Sequence, residues 1–154
     1  MMIQGEADAS PDWITDSSSF VVKSAQQFNA FMATLEHRYY GESQPFNNTT
    51  VEQLKYLSSE QALADTAEFI QYLTKKLSLN GKVVVFGGSY AGSLAAWFRE
   101  KYPNIAVGAI ASSAPVLAEV DFKEYFGVVS DSLGTECSQN IRYGSLGKGM
   151  QISH

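Results

Sequence analysis

The run VVVFGGSYAGSLAAWF, residues 83–98, constrains this chain more than any other stretch. Three valines and a phenylalanine stop at two glycines and a serine, and Ala, Leu and aromatic residues follow at once. The first part, KVVVFG from Lys82, reads as a central parallel strand covered on both faces. The second reads as a helix starting just after Ser89 and ending near Tyr102, because Pro103 disfavours helix in the residue before it. Strand, tight turn and helix in that order make a unit of an α/β domain with a parallel sheet.

Ser89 occupies the turn. A serine hydroxyl is a poor nucleophile unless a base takes its proton and donors hold the oxyanion that forms. A nucleophile elbow presents such a serine between strand and helix, and it needs small residues two before and two after, where the backbones touch. Here the pattern is G-x-S-x-A-G: Gly87 and Gly88 precede Ser89, and Ala91 and Gly92 follow Tyr90. Ala91 stands where glycine is usual, a departure of one methyl. The backbone N–H of Tyr90 would point into the oxyanion hole, at the positive end of the helix. The same residues would also make a tight turn without chemistry; the strand before and the helix after favour the elbow.

Other segments continue the alternation. Phe31–His37 and Val107–Ser113 read as strands, and residues 1–4 as the end of another. The clearest helix spans Ser58 to Leu77. Ser58 with Gln61 fits a capping box, Ala62, Thr66, Phe69, Ile70, Leu73 and Leu77 fall near one face, and Asn80-Gly81 offers a left-handed stop. A weaker helix lies between Pro11 and Gln27. From Asp131 onward periodicity decays, and residues 142–154 read as an irregular tail.

The 154 residues suffice for one core, and 45% hydrophobic with 18% charged residues is a globular composition. A net charge of −5, without a basic cluster beyond Lys75–Lys76, gives no support for a nucleic-acid partner. The longest mostly apolar stretch, residues 105–120, is too short to span a bilayer. MMIQGEADAS has neither a basic n-region nor an apolar h-region, so no signal peptide is visible. Cys137, a single cysteine, makes no internal disulfide. Asn47 and Asn48 each begin an N-x-T glycosylation acceptor, a triplet that also arises by chance. No zinc-type spacing and no phosphate-cradling loop occur, so no metal or cofactor is expected.

EHRYYGESQPF, YLSSEQALAD, VVVFGGSYAGSLAAWFREKYP and VGAIASSAPV together resemble the serine peptidases related to lysosomal prolyl carboxypeptidase. That family includes dipeptidyl peptidase II and thymus-specific serine protease, and the last looks nearest. The resemblance runs from about Phe31 to Tyr125 and fades after about Ile141. It implies a partial α/β-hydrolase fold: the N-terminal portion of the core over residues 1–118, the start of a helical lid over 119–141, and late strands and most of the lid absent. It also implies a Ser–Asp–His triad with Ser89 as nucleophile and Tyr90 N–H as one oxyanion donor. Peptide substrates, including those containing proline, and a lysosomal or secreted, glycosylated protein follow from the same likeness. The turn after the first strand, with Ala7 and Ala9, would lie near the site, and a partner for Cys137 would lie beyond this chain.

In this fold the order is serine, acid, histidine. His37 precedes the serine and reads as a packing or hydrogen-bonding residue of the loop beside the site. Asp121 or Asp131 with His154 would give the right order, but a terminal residue after a Gly-rich tail is poorly held. The chain is therefore expected to be an incomplete, weakly active or inactive serine peptidase. A non-catalytic homologue that binds a peptide or partner, or another α/β hydrolase such as an esterase, stands as the alternative. Arg38, Tyr39 and Tyr40 either line the cleft or are structural, with Arg38 paired to Glu36 or Glu42 and the tyrosines packed; the structural role is favoured.

Overall fold

The computed structural model describes residues 1–150, with side chains through residue 145. Its strands are β1 (Met2–Ile3), β2 (Thr34–Leu35), β3 (Val83–Gly88) and β4 (Ala106–Ser112). The helices are α1 (Asp12–Thr15), α2 (Phe20–Gln27), α3 (Ser59–Lys76), α4 (Tyr90–Lys101), α5 (Lys123–Leu133) and α6 (Thr135–Met150), with a 3-10 turn at Gln53–Tyr56. The strands make one four-stranded parallel sheet in the order β2-β1-β3-β4, the partial α/β core that the sequence implies. Met2 pairs with Thr34 on one side and Phe86 on the other, and Val83–Gly88 run along Ala106–Ser112. The chain divides into two compact units, Met1–Val116 and a second from Leu117 on.

In the first unit, α3 and α4 cover one face of the sheet. Ala62, Leu63, Ala67 and Ile70 of α3 and Leu94, Ala95 and Phe98 of α4 pack against Ile3, Val85 and Ala106. Side chains alternate along a strand, so Val85 is sealed while its neighbours Val84 and Phe86 are half-buried. The expected cover on both faces of β3 is thus complete only on the Val85 face.

Local chemistry sets the helix ends. The Ser58 hydroxyl accepts from the Gln61 N–H at 3.3 Å and caps α3. At the other end Ser78, not Asn80-Gly81, takes the left-handed conformation, with φ 52°. The Leu79 N–H then reaches back to the Thr74 carbonyl at 2.9 Å, which closes the helix one turn earlier than the Asn-Gly pair suggests. The single helix expected between Pro11 and Gln27 is two. The Asp16 carboxylate accepts from the Ser18 N–H at 2.8 Å and hydroxyl at 2.9 Å, and Ser19 caps α2 through the Val22 N–H. These local bonds compete with helix continuation. β2 is shorter than the strand expected over Phe31–His37.

The second unit holds α5 and α6, separated at Gly134 with φ 77°. The Ser138 hydroxyl shares its one proton between the carbonyls of Ser130 and Gly134, at 3.0 and 2.9 Å, tying the two helices at their junction. Helix α6 corrects one expectation: residues 142–150 are helical, not an irregular tail. A glycine costs about 1 kcal/mol against alanine, but each residue added to an existing helix gains a backbone bond, so the glycines weaken the helix without stopping it. His154 lies outside the described residues. Among the described residues, no helix is long and apolar enough to cross a membrane.

Candidate active site

The strand order locates the point where the sheet's winding reverses. The chain passes from β1 to β2 on one side, then returns across β1 to β3 and β4 on the other. Where such an order reverses, the loops leaving the carboxyl ends of the two strands part, and ligands of such folds bind there. Here those ends are Gly5, just past β1, and Ser89, just past β3.

Ser89 has φ 55° and ψ −126°, a conformation that side chains disfavour, and α4 starts at the next residue. Its N–H donates to the Ser112 carbonyl at 2.9 Å, and its own carbonyl accepts from the Ser93 N–H at 3.1 Å. The residue is exposed. So tight a reversal brings backbones together. A Cβ at Gly87 would sit 2.0 Å from the Ala91 carbonyl oxygen, so only glycine fits there. At Gly92 a Cβ would approach the Ser112 carbonyl to 2.9 Å, so this glycine lets α4 lie against the end of β4. Gly88 faces open space and has no such constraint. The extra methyl of Ala91 is buried without strain: even a side chain at Gly5 would meet it at an ordinary 3.5 Å.

Tyr90 opens α4, so its N–H belongs to the first turn and has no acceptor within the helix. Together with the positive helix end this leaves one unpaired backbone donor beside Ser89. The Tyr90 side chain runs toward Gly5 and bonds His37: Oη lies 3.1 Å from Nε2. Burial raises the pKa of this phenol above its ordinary value, and the Tyr40 hydroxyl adds to the rise.

His37 is buried, 5% exposed, and its other nitrogen, Nδ1, lies 2.8 Å from the Arg38 carbonyl oxygen. A carbonyl only accepts, so Nδ1 carries the proton, and in the neutral ring Nε2 accepts from the Tyr90 hydroxyl. Nδ1 is engaged within the loop and Nε2 by α4, in keeping with the hydrogen-bonding role expected of His37. Tyr40 packs edge-on against the ring at 5.2 Å between centroids.

The loop around His37 is held by contacts that sequence reasoning missed. The Glu36 carboxylate accepts from the Ala9 N–H and the Ser43 N–H, both at 2.8 Å. The Ala9 bond, foremost, lowers the Glu36 pKa. It also occupies the Ala9 amide in the turn after β1. Gly41, with φ 52°, leaves room for that carboxylate, which a Cβ would strike. Arg38 pairs with neither Glu36 nor Glu42. Its Nε and Nη2 grip Asp65 of α3 at 2.6 and 2.5 Å, which holds the guanidinium pKa above its ordinary value. A two-pronged contact suits the planar guanidinium better than a lone carboxylate already taken by two amides. Tyr39 takes φ 71° and donates its hydroxyl to the Gln53 carbonyl. Asn47 and Asn48 are exposed on the loop that follows.

In the second unit, Asp121 pairs with Lys123 at 3.5 Å, Asp131 lies exposed on α5, and Cys137 is an exposed free thiol. Among the described residues, no three His, Cys, Asp or Glu side chains are grouped to hold a metal.

The family model described as serine carboxypeptidase S28 matches residues 1–147. Mouse lysosomal Pro-X carboxypeptidase (Mus musculus) is 42% identical over 141 residues, covering 84% of this chain and 29% of the mouse protein. The human protein of that name (Homo sapiens) is 38% identical over 158 residues, covering 90% of this chain and 32% of its own length. Prolyl carboxy peptidase like protein 5 of Caenorhabditis elegans is 45% identical over 115 residues, covering 71% of this chain and 23% of its own. The chain thus spans less than a third of the length of these curated relatives.

Proposed function

The chain belongs to the serine carboxypeptidase S28 family, and on that premise we propose that it carries the nucleophile-bearing part of a serine exopeptidase. The observation that supports this most is Ser89, held exposed at φ 55° between β3 and α4, where the winding of the sheet reverses between β1 and β3. In the proposed reaction Ser89 Oγ attacks the carbonyl of the scissile peptide bond while a base takes its proton. The oxyanion rests on the Tyr90 N–H, the base returns the proton to the leaving amine, and water then hydrolyses the acyl-enzyme. The relatives named Pro-X carboxypeptidase suggest release of a C-terminal residue that follows proline.

His37 is not the base in this reading, because its two nitrogens already serve Arg38 and Tyr90. The chain spans less than a third of these relatives, and in this reading the base and its acid belong to the remainder, so that the chain alone is expected to be weakly active or inactive. The relatives named lysosomal support a lysosomal location, and the exposed N-x-T acceptors at Asn47 and Asn48 would carry N-glycans if the chain enters the secretory route.

Two measurements test the proposal. One is labelling of the chain by a fluorophosphonate. The other is hydrolysis of a peptide with penultimate proline, after this chain replaces the matched segment of the mouse relative. We expect the graft to label and to hydrolyse, and Ser89→Ala to abolish both. The isolated chain should react more slowly by a factor on the order of a million, the cost of removing a triad base. Labelling that survives Ser89→Ala overturns the nucleophile assignment, and equal rates for chain and graft overturn the incomplete triad.

A further inference from the structure

We propose that His37 is a positioning residue for the oxyanion-binding end of α4, acting through the side chain of Tyr90. This deepens the reading of Ser89 as nucleophile and rests on it. The first turn of a helix has no preceding turn to hold it, and here it follows a residue in a disfavoured conformation. Without some other anchor, the donor N–H of Tyr90 would share whatever freedom that turn has. Oxyanion stabilisation depends on donors fixed in advance of the reaction.

The anchor is a relay of hydrogen bonds with one direction. Asp65 on α3 clamps the Arg38 side chain, and the Arg38 carbonyl accepts from His37 Nδ1. With that proton committed, Nε2 presents a lone pair to the Tyr90 hydroxyl at 3.1 Å. The imidazole is buried between Tyr40 and Tyr90, at 5.2 and 5.6 Å between ring centroids, so it has little room to turn away. The Tyr90 ring also passes beside Gly5, which brings the end of β1 into the same contact. His37 thus links α3, the loop after β2, the end of β1 and the first residue of α4, without touching the reacting atoms.

The spectroscopic test uses the 154-residue chain, and the labelling test uses the graft into the mouse relative. Nitrogen NMR of labelled histidine should show Nδ1 protonated and Nε2 bare. Amide signals of residues 89–91 should be sharp in the wild type and in His37→Gln, whose side-chain oxygen can accept from the Tyr90 hydroxyl. In His37→Leu and in Tyr90→Phe they should shift and broaden. In the graft, where this chain replaces the matched segment of the mouse relative, fluorophosphonate labelling of Ser89, measured well below each unfolding midpoint, should slow about tenfold in His37→Leu and Tyr90→Phe, with no further loss in the double variant. His37→Gln should recover most of that rate. A role confined to stability would lower Tm and leave the amide signals and the labelling rate of folded protein unchanged. Wild-type shifts and widths at residues 89–91 in both His37→Leu and Tyr90→Phe overturn the proposal. Labelling that persists in Ser89→Ala sinks the nucleophile reading instead.

Discussion

Ser89 holds a backbone conformation that its own side chain disfavours. At φ 55° and ψ −126° the Cβ crowds its neighbours, at a cost of about 1–3 kcal/mol that glycine avoids. The conformation persists because its surroundings leave no alternative. The N–H is tied to Ser112, the carbonyl accepts from Ser93, and Gly87 admits the Ala91 backbone where any side chain would block it. Strain at this residue is thus the means by which the hydroxyl is set out at the point where the winding of the sheet reverses. Ser89→Ala keeps the strain and removes the hydroxyl, whereas Ser89→Gly removes both. Glycine also gives the unfolded chain more freedom, which takes back part of the gain. Ser89→Gly should therefore be more stable than Ser89→Ala by about 1 kcal/mol, or roughly 3 °C in Tm for a chain of this size. Equal midpoints in a thermal or urea melt would show that the elbow stores no strain.

The elements differ in how plainly the sequence announces them. The β3–α4 unit is legible because strand run, small residues and helix are contiguous, and α3 is legible from its periodicity and the Ser58 cap. The loop from Glu36 to Ser43 is not, since its partners lie far away in sequence. Glu36 reaches Ala9, Arg38 reaches Asp65, and His37 reaches Tyr90, separations of 27, 27 and 53 residues. No local pattern encodes such pairs. The carboxylate of Glu36 joins this loop to the turn after β1, and its charge matters. Its pKa is lowered in the folded chain, against about 4.3 when unfolded. The stabilisation is therefore fully present above about pH 4.3 and fades as pH falls through the lower folded value. Glu36→Gln offers one acceptor where two amides need one each, so its Tm at pH 7 should fall by a few degrees, on the order of that for one lost hydrogen bond. The gap between the two proteins should narrow as the pH is brought below about 4. A gap that stays constant over a pH series of melts would mean that the carboxylate charge contributes nothing to this clasp.

At the scale of the whole molecule, the strand order matters more than any single contact. Neither β1 nor β2 exceeds two residues, and nothing in the sequence says that β1 lies between β2 and β3. Yet that placement sets the end of β1 beside the end of β3, so that Ser89 stands at the point where the winding of the sheet reverses. It also concentrates burial: Val85, Leu94, Ala95 and Phe98 are all at most 1% exposed, where α3, α4 and the sheet meet. The second unit is built differently. Helix α5 has 11 residues and none of them buried, with Tyr125, Phe126 and Val128 each more than 60% exposed. A helix of fewer than about 12–15 residues is marginal in water when no packing supports it. Amide exchange should therefore split by unit. Amides of β3 and of the buried turns of α4 open only through global unfolding and should exchange last. Those of α5 should exchange early, and denaturant that slowly erodes the protection of β3 should leave the α5 rates unaffected. Exchange followed by mass spectrometry over minutes to days resolves the two classes. Protection of α5 equal to that of β3 would show that its apolar face is packed in solution and that both units unfold as one.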